Sequence, residues 1–163
     1  MRAGKMGRTE QDPARGKETW PYRIQETCGG IDWTGIPQAL REAGMGYYEP
    51  ERHRRAFENS FATAFVFDGS RLVGFGRVLS DGAYQAALYD VVVLPAWQGR
   101  GIGRAILEHL LQKVRDCNAI LYANPGKEGF YGRLGFRRLT TGMGRFLRPG
   151  RMEEKGMIEP DKP

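Results

Sequence analysis

Glycines at alternate positions precede a helical pattern in the middle of the chain. Residues 98–103 read Gln-Gly-Arg-Gly-Ile-Gly, after an apolar run at 88–94. Glycine lets backbone N–H groups approach a ligand without a side chain in the way. A helix that starts here adds unpaired N–H groups and the positive end of its dipole. These residue types in this order predict a phosphate-binding loop.

The spacing excludes two common kinds of phosphate loop. A dinucleotide fingerprint, G-x-G-x-x-G/A, requires a small residue where this chain has Arg104 or Ile106. A P-loop requires Gly-Lys-Ser/Thr at the helix entry, and the sequence has no such triplet there. The pattern that fits is Gln-x-x-Gly-x-Gly after a strand that ends in Pro95. In this it resembles the GNAT superfamily of acyl-CoA-dependent N-acyltransferases, in which the segment cradles the pyrophosphate of coenzyme A.

A second motif strengthens the resemblance. Asn124 follows a short apolar run at 119–123, and residues 129–136 read Gly-Phe-Tyr-Gly-Arg-Leu-Gly-Phe. This is similar to the Asn…Phe-Tyr-x-x-Leu-Gly-Phe segment of the same family. The two motifs occur in the expected order, and together the resemblance covers roughly residues 22–146.

The resemblance implies a binding site for acetyl-CoA. In the family, the end of the central strand separates from its neighbour, and the freed backbone groups pair with the pantetheine arm and the thioester oxygen. Asn124 corresponds to an asparagine that contacts this arm, although it could equally cap the strand end. The implied cofactor-binding residues are Val92, Val93, Leu94, Gln98, Gly99, Arg100, Gly101, Ile102, Gly103, Arg104, Asn124 and Tyr131.

Two residues are candidates for catalysis. A phenol with a reference pKa of about 10 can protonate a thiolate as it leaves, and the resemblance places Tyr131 near the sulfur; packing of a helix against the sheet is the alternative role. The glutamate that many family members carry on the central strand is replaced by Tyr89, and the next residue is Asp90. Because neighbours in a strand point to opposite faces, we expect Asp90 to face away from the substrate, which leaves its role as a base open. His53, on a charged helix, is expected to be solvated, and His109 to be structural.

The acceptor pocket is predicted at the two early helices and the loop at 80–85. Polar and aromatic groups there could bind a substrate, although each could equally be an ordinary surface residue. The candidate substrate-binding residues are Tyr47, Tyr48, Arg77, Asp81, Tyr84 and Tyr89.

Apolar periodicity predicts the same architecture without the motifs. A meander of strands followed by a β-α-β unit gives a mixed α/β fold, with a central, mostly antiparallel sheet flanked by helices on both faces. Strands are predicted at 22–26, 61–67, 72–79, 86–94, 119–123, 136–139 and 143–147, with the last two as an antiparallel pair. Helices are predicted at 33–43, 51–59, 101–116 and 128–133. We expect one domain at 21–148 between flexible tails at 1–20 and 149–163.

Composition excludes several classes of function. Most of the net charge of +6 belongs to residues 21–148, which hold 17 basic and 12 acidic side chains; this suits the polyanionic coenzyme A. No aromatic-interleaved basic stripe indicates nucleic-acid binding, and no apolar run is long enough to span a membrane. Two cysteines, Cys28 and Cys117, give neither a metal-binding spacing nor a disulfide framework. The sequence predicts a cytoplasmic protein without a metal, and a homodimer is possible within the resemblance.

The predicted function is transfer of an acetyl group from acetyl-CoA to a primary amine of a small molecule, directly and within a ternary complex. Two alternatives stay open at this point. The acceptor could be an amine of a protein or peptide, or the chain could be a catalytically weak acyl-CoA-binding module, which the unusual Tyr89 would favour.

Overall fold

A computed structural model describes residues 20–160 and shows a mixed α/β fold. The strands are β1 (Arg23–Gln25), β2 (Ala62–Asp68), β3 (Arg71–Ser80), β4 (Gln85–Val93) and β5 (Asn118–Ile120). The helices are α1 (Ile36–Glu42), preceded by a 3-10 turn at Trp33–Gly35, α2 (Pro50–Glu58), α3 (Ile102–Lys113), α4 (Glu128–Gly132) and α5 (Pro149–Glu154). A second 3-10 turn, Pro95–Trp97, joins β4 to the glycine loop.

The strands form one sheet in the order β1-β2-β3-β4-β5. Neighbours are antiparallel except β4 and β5, which are parallel because α3 connects them. The predicted mixed, mostly antiparallel sheet is therefore confirmed.

Apolar side chains bury both faces of this sheet. One core lies between the sheet and α3, around Ile106 and Leu110, and the other lies under α1 and α2, around Leu40 and Phe57. Helix α3 packs so closely that a Cβ at Gly76 would come within 2.8 Å of the Ile106 side chain. Glycine at this position allows the close approach of α3 to β3.

The prediction for the end of the domain is wrong in one respect. Residues 136–139 and 143–147 form no strands, and Met143 and Leu147 are 100% and 96% exposed. A two-stranded hairpin is marginal without a sheet or a helix to pack against, and Gly142 and Gly144 weaken this one further. Strand β5 is also shorter than predicted, since it ends at Ile120.

The segment predicted as a C-terminal tail contains α5. The predicted N-terminal tail lies, apart from Trp20, outside the described residues. The domain boundaries themselves stay a prediction. None of the helices between residues 20 and 160 is both long and apolar enough to cross a bilayer.

Candidate active site

A cavity of about 460 Å³ opens where β4 separates from β5. The two strands pair only over Gln85–Ala87 of β4 and Asn118–Ile120 of β5. Beyond that point, within the described part of the chain, β4 has no strand partner on this side, and Leu121 and Tyr122 form the opposite wall. The predicted residues that line the cavity are Tyr89, Asp90, Val92, Val93, Gln98, Gly99, Gly101, Ile102, Gly103, Arg104, Asn124 and Tyr131.

The glycine loop forms one end of the cavity. Gly99 and Gly101 have φ values of 78° and 81°, in the left-handed region that favours glycine. Gly101 caps α3 without a side-chain hydrogen bond, so the first N–H groups of this twelve-residue helix are available to a ligand. Gln98 donates from Nε2 to the carbonyl of Val93 (3.0 Å), which ties the loop to the end of β4. These observations fit a phosphate group at the start of α3.

Asp90 interrupts β4 with a bulge. Phe75 pairs with Val92 and Arg77 pairs with Tyr89, so two residues of β4 stand opposite one of β3. The φ of Asp90 is +53°, which is uncommon outside glycine and costs on the order of 1–3 kcal/mol. The extra residue breaks the alternation of the strand, so alternation no longer predicts which face Asp90 points to, and its role as a base stays a prediction.

Arg77 holds the Asp90 carboxylate from the side. Its Nε donates to Oδ2 of Asp90, and both side chains are largely buried, at 15% and 20% exposure. The Arg77 guanidinium also lies 5.3 Å from the ring centre of Tyr89 and 5.7 Å from that of Phe57. Arg77 was predicted to contact the acceptor, whereas the structure places it beside the bulge and outside the cavity wall.

His53 is buried, and the expectation of a solvated imidazole is wrong. The residue is only 5% exposed, and its Nε2 accepts the backbone N–H of Tyr48 (2.9 Å). Burial lowers the pKa of His53, and the nearby Asp90 opposes this only in part. The hydrogen bond requires an unprotonated Nε2. The neutral form of the His53 ring therefore holds the α1–α2 loop.

This environment predicts an acid-sensitive contribution to stability. Since the folded protein disfavours protonation of His53, the unfolded chain binds the extra proton as the pH falls through the ordinary pKa of 6.5. The contribution of neutral His53 to the free energy of unfolding is thus full above pH 6.5 and is lost as the pH falls below it. His53→Gln keeps an acceptor near the Nε2 position and removes the titration.

We expect the melting temperature of His53→Gln to fall less steeply than that of the wild type between about pH 7.5 and 5.5. Thermal denaturation across that range measures the two slopes. Equal slopes would show that His53 is not held neutral by the fold.

Tyr131 lies on α4 with its ring partly buried. It packs against Phe130 and Phe136, with ring centres 5.1 Å and 6.0 Å away. A phenol with an ordinary pKa of about 10 is protonated at neutral pH, and burial raises the pKa of the Tyr131 phenol further. A protonated phenol in the cavity wall is able to donate to a developing thiolate.

The remaining predicted residues lie outside the cavity lining. The Asp81 carboxylate accepts three backbone N–H groups of the β3–β4 turn, from Ala83, Tyr84 and Gln85 (2.8–3.1 Å), and these bonds lower its pKa. Asp81 is thus a turn residue. The other predicted residues that do not line the cavity are Leu94, Arg100, Tyr47, Tyr48 and Tyr84.

Sequence reasoning missed Tyr122. It lines the cavity, and its ring centre lies 5.9 Å from that of Tyr89 and 6.0 Å from that of Phe146. Burial, followed by the proximity of Tyr89 and Asp90, raises the pKa of its phenol. A tyrosine two residues before Asn124 was the available signal, but residues 119–123 were predicted only as a short strand. Other lining residues missed from sequence are Ala43, Met45, Trp97, Lys127, Phe130 and Arg133.

The comparisons with known proteins agree with this fold and cavity. The model of the acetyltransferase (GNAT) family matches residues 31–136, and the chain belongs to that family of N-acetyltransferases. It is 35% identical over 71% of its length to serotonin N-acetyltransferase 2, chloroplastic, of Oryza sativa subsp. japonica, of which it spans 61%. It is 31% identical over 75% of its length to histone acetyltransferase TAP1 of Glycine max, of which it spans 54%.

The fold is also that of a solved acetyltransferase. A GNAT family protein from Streptococcus pneumoniae TIGR4 superposes with a TM-score of 0.67 at 24% identity, covering 78% of this chain and 98% of its own. The chain spans little more than half to three fifths of the two curated relatives above. One of these carries a chloroplastic name, so the cytoplasmic location stays a prediction.

Proposed function

We propose that the protein moves an acetyl group from acetyl-CoA to a primary amine of a small molecule, by direct attack within a ternary complex. The observation that carries this proposal is the arrangement of the cavity. The glycine loop and the start of α3 lie at one end, the unpaired edge of β4 lies in the middle, and Asp90 and Tyr131 both line the same cavity. Acetyl-CoA supplies an activated thioester to this space when bound.

The loop and the edge of β4 serve binding and orientation. The N–H groups at the start of α3 and the positively charged Arg104 would hold the pyrophosphate. The backbone groups of β4 that β5 leaves unpaired would bind the pantetheine arm and donate to the acyl oxygen as negative charge develops on it.

Asp90 would accept the proton of the attacking amine, and Tyr131 would protonate the departing thiolate. An amine attacks only in its neutral form, so a carboxylate beside it is suited to accept a proton, directly or through water. The Arg77 ion pair fixes the Asp90 carboxylate at the bulge. The Tyr131 phenol, which is protonated at neutral pH, would donate its proton to the departing thiolate.

A protein or peptide amine is the second candidate acceptor, because one matching relative is named a serotonin N-acetyltransferase and another a histone acetyltransferase. Release of coenzyme A from acetyl-CoA, measured across a panel of small amines, amino sugars, amino acids and lysine peptides, separates the two. We expect turnover with at least one small amine and little with the peptides. Turnover confined to peptides would overturn the small-amine assignment.

A further inference from the structure

The C-terminal segment contains a helix with a defined C-terminal cap. We call residues 149–158 the C-terminal strap. Helix α5 is followed by Gly156 at a φ of +65°, and the N–H groups of Gly156 and Met157 bond to the carbonyls of Glu153 and Met152 (2.8 Å each). This paired pattern is a Schellman motif, which ends a helix and turns the chain in a defined direction. The local sequence therefore specifies the path of the strap.

The strap lies close to residues on two sides of the cavity. Lys155 donates from Nζ to the carbonyl of Gly44 (3.4 Å), between the lining residues Ala43 and Met45. On the other side, a Cβ at Gly156 would lie 3.7 Å from the Pro125 ring, next to the lining residue Asn124.

Apolar side chains of the strap are shielded in part from solvent. Met152, Met157 and Ile158 are all partly buried, although they belong to a short polar segment after the region matched by the family model. The strap is joined to the domain by the Lys155 hydrogen bond and by the approach of Gly156 to Pro125.

From these contacts we infer that the strap is a specificity element that limits the acceptor to small molecules. This inference rests on the proposed function. An extended peptide that delivers an amine to the cavity needs a groove that is open between the α1–α2 loop and the loop after β5. The strap bridges those two loops, so a small amine enters beneath it while a polypeptide is obstructed.

The test compares the full-length protein with a full-length double variant, Met152→Asp/Met157→Asp, which places charges at two partly buried positions of the strap. Glu154→Gln, an exposed change on the same helix, is the matched control. The readouts are kcat/KM for the small amine, kcat/KM for a short lysine-containing peptide, and the Kd of coenzyme A from calorimetry.

We expect the double variant to gain about tenfold or more in kcat/KM for the peptide, the size of effect that steric selection commonly gives. The Kd of coenzyme A and the behaviour of Glu154→Gln should stay within about twofold of wild type. A second variant that ends at Arg148 should show the same gain.

Two outcomes would overturn the inference. One is unchanged peptide turnover in both strap variants while they still acetylate the small amine. The other is efficient peptide turnover by the full-length wild type. Absence of small-amine turnover in the wild type would instead contradict the proposed function, so the two failures are distinguishable.

Discussion

Gly101→Asp is expected to weaken coenzyme A binding on the order of 10²-fold or more. A carboxylate at this position would enter the space before α3 and repel the pyrophosphate, and two charges about 4 Å apart interact by about 1–4 kcal/mol between water and a protein surface. The side chain would also occupy a backbone with a φ of +81°. Steric conflict is minor, because a Cβ at Gly101 would lie 3.7 Å from the Trp20 ring, in ordinary contact.

Gly69→Asp is the matched control for that substitution. Gly69 has a φ of +59° in the β2–β3 turn, and a Cβ added there would meet no other described atom within 4 Å. The Gly69→Asp substitution imposes a comparable backbone strain and adds the same charge, but away from the glycine loop. Calorimetric titration measures the coenzyme A affinity of both variants. Equal affinity of Gly101→Asp and wild type would contradict the assignment of the loop, as would an equal loss in the control.

Tyr131→Phe is expected to lower turnover on the order of 10²–10⁴-fold, the range typical of a lost general acid. The substitution keeps the ring that packs against Phe130 and Phe136 and removes only the phenolic hydroxyl. Melting temperature and coenzyme A affinity should change little, because the lost interaction strengthens only as the thiolate forms.

Tyr122→Phe provides the control for a phenol elsewhere in the same cavity. We expect its turnover to fall much less than that of Tyr131→Phe. Steady-state kinetics and thermal denaturation are measured on both variants. If Tyr131→Phe retains turnover within a few-fold of wild type, Tyr131 is a packing residue and another group or water protonates the thiolate.

Local chemistry explains why the glycine loop and the sheet order could be predicted. Alternate glycines before a helix and short turns between β-rich segments are properties of neighbouring residues, so Gly99 and Gly101 were found from spacing alone. The same holds for the short connection between the strands predicted at 61–67 and 72–79. Long-range contacts were not needed for either prediction.

The bulge at Asp90 could not be predicted from alternation. It depends on how Gly76 of β3 faces two residues of β4, which is a property of the register between strands. Likewise, the burial of His53 depends on the loop that folds over α2, and the position of Tyr122 depends on where β5 ends. Each of these is decided by tertiary packing.

The C-terminal strap also has a local part that the sequence contains and long-range contacts that it does not predict. Polar composition at 149–163 favoured a tail, but Gly156 and the pair Met152 and Met157 are also the elements of a helix C-cap. Local capping residues were visible in the sequence. The contact of Lys155 with Gly44 and the approach of Gly156 to Pro125 were not.

Direct acetyl transfer to a small amine requires that no acetylated enzyme forms on the way. Mass spectrometry tests this after incubation of the full-length protein with isotopically labelled acetyl-CoA, with and without the small amine found by the panel. We expect the label to appear on the amine, and none to be attached to the protein in the absence of the amine. Label bound to the protein as an intermediate that the amine then removes would contradict direct transfer, and label on no amine at all would contradict the proposed function.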